Sequence, residues 1–495
     1  MVSSREKVSY KHETQSNIFL YINGEFTPAS NGATIKNMNP FTNEQINEIA
    51  EGQVEDINIA VAAAREAFDN GPWKTMKLTK RMAYIYRIAD LIDEEVEKIA
   101  YLESLDTGLP ISQTRKMVSR ASENFRFYAR MVESRLVGDA YQVDDEFINY
   151  TINAPVGVAG LITPWNAPFM LETWKVAPAL ATGNTVVLKP AELSPLSANL
   201  LAEVIHKAEL PKGVFNVVHG YGETAGDALV KHPDVQLISF TGETKTGSTI
   251  IKNSADTLKS CSMELGGKSP IIVFDDADLD AAVDTLMDGA TYNSGQCCCG
   301  IERIYVHESL YDAFVEKSVA WVSNYKLGNP LDPETSLGPM ANKRFAKVVR
   351  EQIADAVSKG AKALVDPKLF PADDGGAYIM PQILVNVDHS MAFMKDETFG
   401  PAVGIMKVKS DEEALGLMND SPYGLTASLW TQDPERAARI GRDIETGTVF
   451  MNRADYLDPA LCWTGVKETG KGGSLSVLGF QNLTRPKSYH LKKVT

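Results

Sequence analysis

The 495-residue sequence has few cysteines and no long apolar run, and each of these features excludes some classes of protein. Its five cysteines are too few and too badly spaced for a disulfide framework, and they lack the C-x-x-C spacing of a zinc site. No apolar run reaches the roughly 18 to 20 residues that a membrane-spanning helix needs. The 49 Lys and Arg residues, against 64 Asp and Glu, form no long basic stretch. A nucleic-acid partner is therefore not expected.

The N-terminal residues M-V-S-S-R-E-K-V-S-Y lack the apolar segment and small-residue cleavage site of a signal peptide. We therefore expect a cytoplasmic protein with free thiols. Single hydrophobic cores stop growing at roughly 250 to 300 residues, so the length predicts two or three compact units. With 44% hydrophobic and 23% charged residues, the composition is that of a soluble globular protein.

The periodicity of apolar residues predicts an α/β fold with mostly parallel sheets. Helical spacing is found over 57–69, 79–104 and 113–135, and strand alternation follows over 147–157. Short β-branched runs then alternate with helices in two series, near 157, 184, 214, 235 and 269, and, after Cys298, near 303, 363, 399 and 425. Sheets of this kind bind ligands at the carboxyl ends of their strands.

Two segments that follow strands could bind a nucleotide. In I-S-F-T-G-E-T-K-T-G a strand leads through Gly242 and Gly247 into a helix, which could hold a phosphate on backbone N–H groups. The strict G-x-G-x-x-G pattern is absent, so a purely structural turn is an equally good interpretation. In L-K-P-A-E, Lys189 and Glu192 could bind ribose hydroxyls, although a solvated turn fits as well.

Three further segments could carry chemistry. Asn166 stands between Pro164 and Pro168, and a rigidly held amide can donate to an oxyanion, although a packed loop is the alternative. Glu264, between two apolar residues, could act as a general base or could simply be an exposed strand residue. In N-S-G-Q-C-C-C-G, residues 293–300, a thiolate would be a strong nucleophile, but each cysteine could equally be a small buried hydrophobe.

The order of six motifs resembles the aldehyde dehydrogenase superfamily, from Y-I-N-G-E-F at position 21 to the C-terminal tail. The motifs are W-N-A-P-F, L-K-P-A-E, F-T-G-E-T-K-T-G, M-E-L-G-G-K-S-P, G-Q-C-C-C and E-T-F-G-P. The resemblance implies a Rossmann-like dinucleotide-binding domain, an α/β catalytic domain and a small β oligomerisation element. The corresponding residues are 1–134 with 156–267 for the first, 268–477 for the second, and 135–155 with 478–495 for the third.

The resemblance also implies roles for individual residues. In G-Q-x-C the nucleophile is Cys298, with Cys297 and Cys299 as packing neighbours. Glu264 is the implied general base, Asn166 the oxyanion donor and Lys175 the support of the glutamate. The implied cofactor-binding residues are Thr163, Pro164, Trp165, Lys189, Glu192, Phe240, Gly242, Thr244, Gly247, Leu265, Glu397 and Phe399. The candidate substrate-pocket residues are Phe169, Leu171, Trp174 and Trp463.

The implied reaction is NAD- or NADP-dependent oxidation of an aldehyde through a thiohemiacetal and a thioester, without a metal. NAD is favoured over NADP because Glu192 would repel a 2′-phosphate. A homodimer or homotetramer is expected. Two alternatives stay open: a dehydrogenase that transfers the acyl group to CoA, and a nucleotide-binding scaffold without turnover.

Segments in the N-terminal two thirds look most like semialdehyde dehydrogenases of aromatic-ring catabolism. They include D-T-G-L-P-I at 106–111 and N-Y-T at 149–151. An aromatic or medium-chain aliphatic aldehyde or semialdehyde is therefore the expected substrate. The sequence departs from the common family pattern at Glu243 and in the C-terminal T-G-V-K-E-T-G-K-G-G segment, which affects the expected pyrophosphate loop and substrate entry.

Overall fold

The computed structural model of the chain describes residues 14–141, 146–454 and 456–493. The N-terminal stretch considered for a signal peptide lies outside the described residues. The strands are β1 (Asn17–Ile18), β2 (Leu20–Ile22), β3 (Glu25–Thr27), β4 (Thr34–Met38), β5 (Gln45–Ala50), β6 (Val137–Tyr141), β7 (Phe147–Pro155), β8 (Val158–Ile162), β9 (Thr185–Lys189), β10 (Phe215–Val217), β11 (Leu237–Thr241), β12 (Ser260–Glu264), β13 (Ser269–Val273), β14 (Ile301–His307), β15 (Lys362–Ala363), β16 (Gln382–Val385), β17 (Ala402–Val408), β18 (Thr426–Trp430), β19 (Thr448–Met451) and β20 (Thr484–Lys492).

The helices are α1 (Val54–Asp69), α2 (Leu78–Glu94), α3 (Val96–Thr107), α4 (Ile111–Arg135), α5 (Pro168–Thr182), α6 (Leu196–Lys207), α7 (Asp227–Lys231), α8 (Thr244–Ser254), α9 (Leu279–Thr291), α10 (Tyr311–Val322), α11 (Lys343–Ser358), α12 (Ala392–Lys395), α13 (Asp411–Asn419), α14 (Pro434–Gly441) and α15 (Ser476–Asn482). The helix predicted over 79–104 is two helices, because Glu95 leaves the helical region between α2 and α3. In the described part of the chain, no helix is long and apolar enough to cross a membrane.

The first seven-stranded sheet has the order β12-β11-β8-β9-β10-β2-β3, parallel except at β2 and β3. Its β8, β9 and β11 are buried along their whole length, as strands covered by helices on both faces are. The register pairs Ile162 with Lys189 and Thr241 with Glu264. The last residues of four strands therefore meet at one edge of this sheet.

The second seven-stranded sheet has the order β15-β16-β17-β14-β13-β18-β19, with β15 antiparallel at one edge. The predicted strand near 269 is β13, and it lies here between β14 and β18, so its place in the first series was wrong. Sequence spacing cannot reveal this change of sheet, because only a short connection separates β13 from β12, an edge strand of the first sheet. The prediction of mostly parallel sheets is confirmed.

A three-stranded antiparallel sheet of order β20-β7-β6 joins the predicted 147–157 strand to the extended tail. Its residues are largely exposed or half-buried, and the rings of Tyr150 and Tyr489 stack 4.7 Å apart on one face. A smaller sheet has the order β1-β5-β4.

Helix α5 is buried at every one of its 15 positions and carries Pro178 inside it. A helix that is buried on all sides belongs in the interior of a large domain. Just past its end, the Asn184 amide donates to the Leu483 carbonyl, while its oxygen accepts from the Gly157 amide. The helix is thus fixed at its C-terminal end beside the three-stranded sheet.

Candidate active site

A cleft of about 880 Å³ opens at the carboxyl ends of β8, β9 and β11 and is closed on its other side by residues around the second sheet. The predicted site residues that line it are Thr163, Pro164, Trp165, Asn166, Lys189, Glu192, Phe240, Gly242, Leu265, Cys298, Glu397 and Phe399. Sequence reasoning missed several other lining residues, including Glu223, Arg344 and Phe345.

At one end of the cleft a lysine and a carboxylate follow strand β9. The Nζ atom of Lys189 lies 3.6 Å from Oε2 of Glu192, and the lysine side chain is buried while the glutamate is partly open. Burial lowers the pKa of Lys189, and the neighbouring Glu192 opposes that shift. Two further carboxylates, those of Glu223 and Asp227, line the same region. This end therefore places a buried lysine beside several carboxylates that could bind a polar ligand.

The turn into α8 is packed tightly against strand β12. The Gly242 amide donates to the Glu264 carbonyl at 3.1 Å. A Cβ atom on Gly247 would lie 2.5 Å from the Leu265 side chain, so glycine lets Leu265 stand against the helix and line the cleft. Thr244 and Gly247 are not among the lining residues, and the Thr244 hydroxyl instead donates to the Glu468 carbonyl. Glu243, the atypical carboxylate, does line the cleft.

An aromatic wall marks the opposite end. The rings of Trp165 and Phe345 stack with centroids 4.6 Å apart, and Trp165 meets Phe399 edge-on at 5.5 Å. The Glu397 carboxylate accepts a hydrogen bond from the Gly267 amide at 2.8 Å. Burial raises the pKa of Glu397 to about 8, with a further rise from nearby Glu302.

A buried ion pair supports the loop that carries Glu397 and Phe399. Lys268 Nζ donates to Glu302 Oε2 at 2.6 Å, and the Glu302 carboxylate accepts from the amides of Thr398 and Phe399. Sequence reasoning assigned neither residue of this pair a role. A lysine entering the apolar strand β13 was the available signal, because a buried cation needs a buried anion.

The three cysteines lie on the loop before β14, with Cys298 half-buried and lining the cleft. A Cβ atom on Gly267 would stand 2.4 Å from the Cys298 carbonyl, so the glycine permits this close contact. The sulfurs of Cys297 and Cys299 are 3.2 Å apart. A hydrogen bond to Cys298 raises the pKa of the Cys297 thiol to about 12, with burial adding to the rise. Cys297 therefore stays protonated at neutral pH.

Asn166 is joined to the cysteine loop in both directions. Its side-chain amide donates to the Gln296 carbonyl at 3.0 Å, and its own carbonyl accepts from the Asn293 side chain at 2.7 Å. A primary amide has two N–H donors, so one is left for a ligand in the cleft. The structure thus brings the predicted asparagine and the predicted cysteine to one place.

Glu264 forms an ion pair with Lys175, the residue that the family resemblance implied as its support. Lys175 Nζ donates to Glu264 Oε2 at 3.1 Å, and the Thr241 hydroxyl donates to the same oxygen at 2.8 Å. The other oxygen, Oε1, is buried and has no hydrogen-bond partner among the described residues. The second oxygen is thus unpaired but shielded from solvent, and neither Glu264 nor Lys175 is among the residues that line the cleft.

The four candidate substrate residues are all buried around α5. The rings of Trp174 and Trp463 meet edge-on with centroids 5.9 Å apart. Trp174 lines a separate cavity of about 300 Å³ that Met170 also lines. Phe169 and Leu171 are packed in the core, and neither lines this cavity.

The geometry defines an α/β protein of two large sheets whose nucleotide-sized cleft ends at a half-buried cysteine. A model of the aldehyde dehydrogenase family matches residues 26–489. The 5-carboxymethyl-2-hydroxymuconate semialdehyde dehydrogenase of Escherichia coli is 43% identical over 442 residues, which is 88% of this chain and 93% of that protein. A mitochondrial benzaldehyde dehydrogenase of Antirrhinum majus is 40% identical over 95% of this chain and 88% of its own length.

Among solved structures, the NAD⁺ complex of an aldehyde dehydrogenase from Bacillus cereus superposes with a TM-score of 0.93 at 38% identity, covering 96% of each chain. The chain belongs to the aldehyde dehydrogenase family, as the motif order predicted, and is an enzyme with that family's fold.

Proposed function

We propose that this enzyme oxidises an aldehyde to a carboxylic acid with NAD, through a thioester on Cys298. The observation that carries the proposal is that Cys298 and Asn166 line the same cleft and that hydrogen bonds tie Asn166 to the cysteine loop. A nucleophile and an oxyanion donor side by side are what acyl chemistry on a thiol requires.

The cleft suits NAD in size and in the polarity of its ends. Lys189 and Glu192 would hold the adenosine ribose, the turn at Gly242 the pyrophosphate, and Glu397 with Phe399 the nicotinamide ribose and ring. When bound, the nicotinamide accepts a hydride. The carboxylates of Glu192 and Glu223 support NAD over NADP, because both would repel a 2′-phosphate.

In the first half of the reaction, the Cys298 thiolate attacks the aldehyde carbon and forms a carbon–sulfur bond. The carbonyl oxygen becomes an oxyanion that accepts hydrogen bonds from the Asn166 amide and the Cys298 backbone N–H. One such donor is typically worth about 3 to 4 kcal/mol in the transition state. Loss of hydride from this thiohemiacetal collapses it to a thioester.

In the second half, water attacks the thioester carbon while Glu264 takes its proton. The tetrahedral intermediate expels the Cys298 thiolate and releases the acid. Lys175 holds Glu264 by Oε2, and the proton would pass to Oε1, the oxygen that has no hydrogen-bond partner among the described residues. Lys175 is therefore a positioning residue.

For the substrate, we propose an aromatic or medium-chain aliphatic aldehyde or semialdehyde. The names of the Escherichia coli and Antirrhinum majus relatives support this range, as do the aromatic and apolar side chains around α5. We also propose a homodimer or homotetramer assembled through the sheet β20-β7-β6, which light scattering on the purified protein tests, and a cytoplasmic location.

The decisive experiment follows reduced-nicotinamide absorbance with benzaldehyde, phenylacetaldehyde, a hydroxymuconic semialdehyde, acetaldehyde and betaine aldehyde. Cys298→Ala should abolish oxidation and still bind NAD, whereas Cys299→Ala should retain most activity. A strong requirement for CoA would show that the acyl group is transferred to CoA rather than hydrolysed. If no aldehyde is turned over, the protein would be a nucleotide-binding scaffold without activity. Turnover of acetaldehyde or betaine aldehyde far above the aromatic substrates would refute the substrate proposal.

A further inference from the structure

The segment 389–399 leads to the two residues that would hold the nicotinamide end of the cofactor. It contains α12 and ends at Glu397 and Phe399, which line the cleft. Phe399 has a φ of 50°, a left-handed backbone conformation that is strained for a bulky residue. Such a conformation persists only where the surrounding contacts hold it. The contacts on the 389–399 segment therefore decide where Glu397 and Phe399 stand.

The buried pair of Lys268 and Glu302 holds one side of this segment. The Glu302 carboxylate accepts hydrogen bonds from the backbone amides of Thr398 and Phe399. The Lys268 ammonium also lies 5.2 Å from the centre of the Phe393 ring, which is on the buried face of α12. This pair thus contacts both α12 and the end of the segment.

A single exposed carboxylate, that of Asp420, holds the other side. Asp420 lies just past the end of α13, with Oδ1 at 2.5 Å from Lys395 Nζ and Oδ2 at 2.7 Å from His389 Nδ1. Its backbone carbonyl accepts a further hydrogen bond from Lys395 at 3.2 Å. Hydrogen bonds from Lys395 and His389 lower the pKa of Asp420 to about 2, so it is ionised at neutral pH. Since its two partners stand on either side of α12, one aspartate joins both ends of that helix.

His389 extends the attachment into the second sheet. Burial lowers the pKa of His389, so its neutral ring donates from Nδ1 to Asp420 and accepts at Nε2 from the Tyr305 hydroxyl at 2.9 Å. Arg303 donates to the same hydroxyl at 3.2 Å and to the Lys268 carbonyl at 3.0 Å. A continuous series of polar contacts therefore runs from Asp420 to the Lys268 side of the buried pair.

The turn that carries Asp420 is itself fixed by two cations. Lys467 Nζ donates to the backbone carbonyls of Asn419 at 2.8 Å and of Ser421 at 3.1 Å. Arg303 Nη1 donates to the Asp420 carbonyl at 3.5 Å. The aspartate is thus a fixed point against which the 389–399 segment is held.

We propose that Asp420 is a positioning residue for the nicotinamide end of the cofactor. It fixes α12 through Lys395 and His389, and Glu397 follows two residues after that helix. Asp420 is not among the residues that line the cleft, so it acts through the segment and not on the cofactor. The inference rests on the proposed function, because it takes Glu397 and Phe399 as the residues that hold the nicotinamide ribose and ring.

NAD and AMP separate this role from a general effect on the fold. If the 389–399 segment leaves its position in some fraction of the molecules, the apparent Kd rises for a ligand that needs the segment. AMP has only the adenosine half of NAD, so it depends on Lys189 and Glu192 and not on Glu397. A change at Asp420 should therefore weaken the binding of NAD and spare that of AMP.

Calorimetry in the Cys298→Ala background should measure both Kd values in Asp420→Ala, Lys395→Met and the double variant. Each single variant should raise the Kd for NAD about three- to sixfold, the range that a partly exposed ion pair supports, and leave the Kd for AMP unchanged. The double variant should be no weaker than Asp420→Ala, because the two residues share one contact.

Two further variants complete the comparison. Lys395→Arg keeps the positive charge and should restore most of the affinity that Lys395→Met loses. Asp312→Ala is the matched control, because Asp312 lies 3.8 Å from Lys407 of the same sheet and makes no contact with the 389–399 segment. It should leave the Kd for NAD unchanged. Urea unfolding reports whether each variant is folded, and if Asp420→Ala is not, Lys395→Met decides alone.

An equal rise of the Kd for NAD and AMP would show a general disturbance of the fold. An unchanged Kd for NAD would show that Glu302 alone holds the segment. Losses that add fully in the double variant would show that Lys395 does not act through Asp420. Each of these results overturns the inference and leaves the proposed function standing. A Cys298→Ala protein that binds neither nucleotide, or aldehyde oxidation that survives Cys298→Ala, would instead remove the proposed function and this inference with it.

Discussion

Lys175 Nζ donates to Glu264 Oε2 at 3.1 Å in a site where both side chains are almost fully buried. Removing one member of a buried pair leaves an uncompensated charge, which costs about 3 to 5 kcal/mol. Lys175→Met should therefore lower the free energy of unfolding by that amount in urea titrations. The double variant with Glu264→Gln, which has neither charge, should regain most of it. Equal losses in the single and double variants would show that the pair is not coupled.

Glu264→Gln should separate the two halves of the reaction. The thioester can still form on Cys298, but water loses its base, so hydrolysis slows about 10²- to 10⁴-fold. Stopped-flow absorbance should then show a burst of about one reduced nicotinamide per active site before slow turnover. Glu468→Gln, at an exposed glutamate, is the control. Absence of the burst, with oxidation itself lost, would contradict the assignment of Glu264 to the hydrolytic half.

The buried pair of Lys268 and Glu302 should control cofactor affinity without touching the cofactor. Glu302→Gln places an amide N–H against the backbone N–H groups of Thr398 and Phe399, which loosens the loop that carries Glu397. We expect the Kd for NAD, measured by calorimetry in the Cys298→Ala background, to rise about 10-fold, equivalent to about 1.4 kcal/mol. Glu308→Gln, exposed at the end of β14, should leave it unchanged. An unchanged Kd in Glu302→Gln would show that the loop is held by other contacts.

The raised pKa of Cys297, about 12, predicts that its thiol is unreactive at neutral pH. Stoichiometric alkylation by iodoacetamide at pH 7.5 should label Cys298 first, which peptide mass spectrometry would show. The Cys297→Ala variant should keep the labelling of Cys298 and most of the activity. If Cys297→Ala is the inactive variant, the nucleophile is one residue earlier than proposed.

Glu172 predicts how stability depends on pH. It is buried without a hydrogen-bond partner for either oxygen among the described residues, and burial raises its pKa well above the ordinary value of 4.5, helped by Glu103 and Asp106. The folded protein therefore keeps a proton that the unfolded chain has lost, so stability falls as pH rises above 4.5.

Glu172→Gln should remove part of the stability that the wild-type protein loses as the pH rises. Its advantage over wild type in urea unfolding should be small at pH 5 and grow towards pH 8, by about 1.4 kcal/mol per pH unit at most. Glu103 and Asp106, whose pKa values burial raises to about 8 and about 7, keep some pH dependence in the variant. The exposed Glu133→Gln is the control, and a variant that parallels wild type at every pH would refute the role of Glu172.

The sequence predicted the α/β class and the residues of the cleft because both depend on local patterns. Short buried strands show a regular pattern of apolar residues. Asn166, Lys189 and Cys298 each belong to a motif of consecutive residues. Ten of the twelve expected cofactor residues line the cleft for this reason, and the family model confirmed the family that the motif order predicted.

What was missed depends on contacts between distant segments. Phe345 reaches Trp165 from α11, and Glu302 reaches Lys268 from the next strand of the second sheet. The period of apolar residues does not encode which strand pairs with which, so it placed β13 with the first series, whereas the domain boundary implied by the motifs, at 268, places β13 after it. Packing also buries Phe169 and Leu171 around α5, and the apolar pattern of the sequence does not show how deeply such side chains lie.

Asn166, the proposed oxyanion donor, lies two residues before helix α5, Lys175, the proposed positioning residue, lies in the middle of the helix, and Asn184 lies just past its end. Catalytic groups are commonly found on loops that open easily, whereas this helix has no exposed face through which water could reach its backbone. Its amide hydrogens should thus exchange with deuterium only when the whole domain unfolds. The reaction geometry would then persist until global unfolding, and heat inactivation should coincide with loss of the fold.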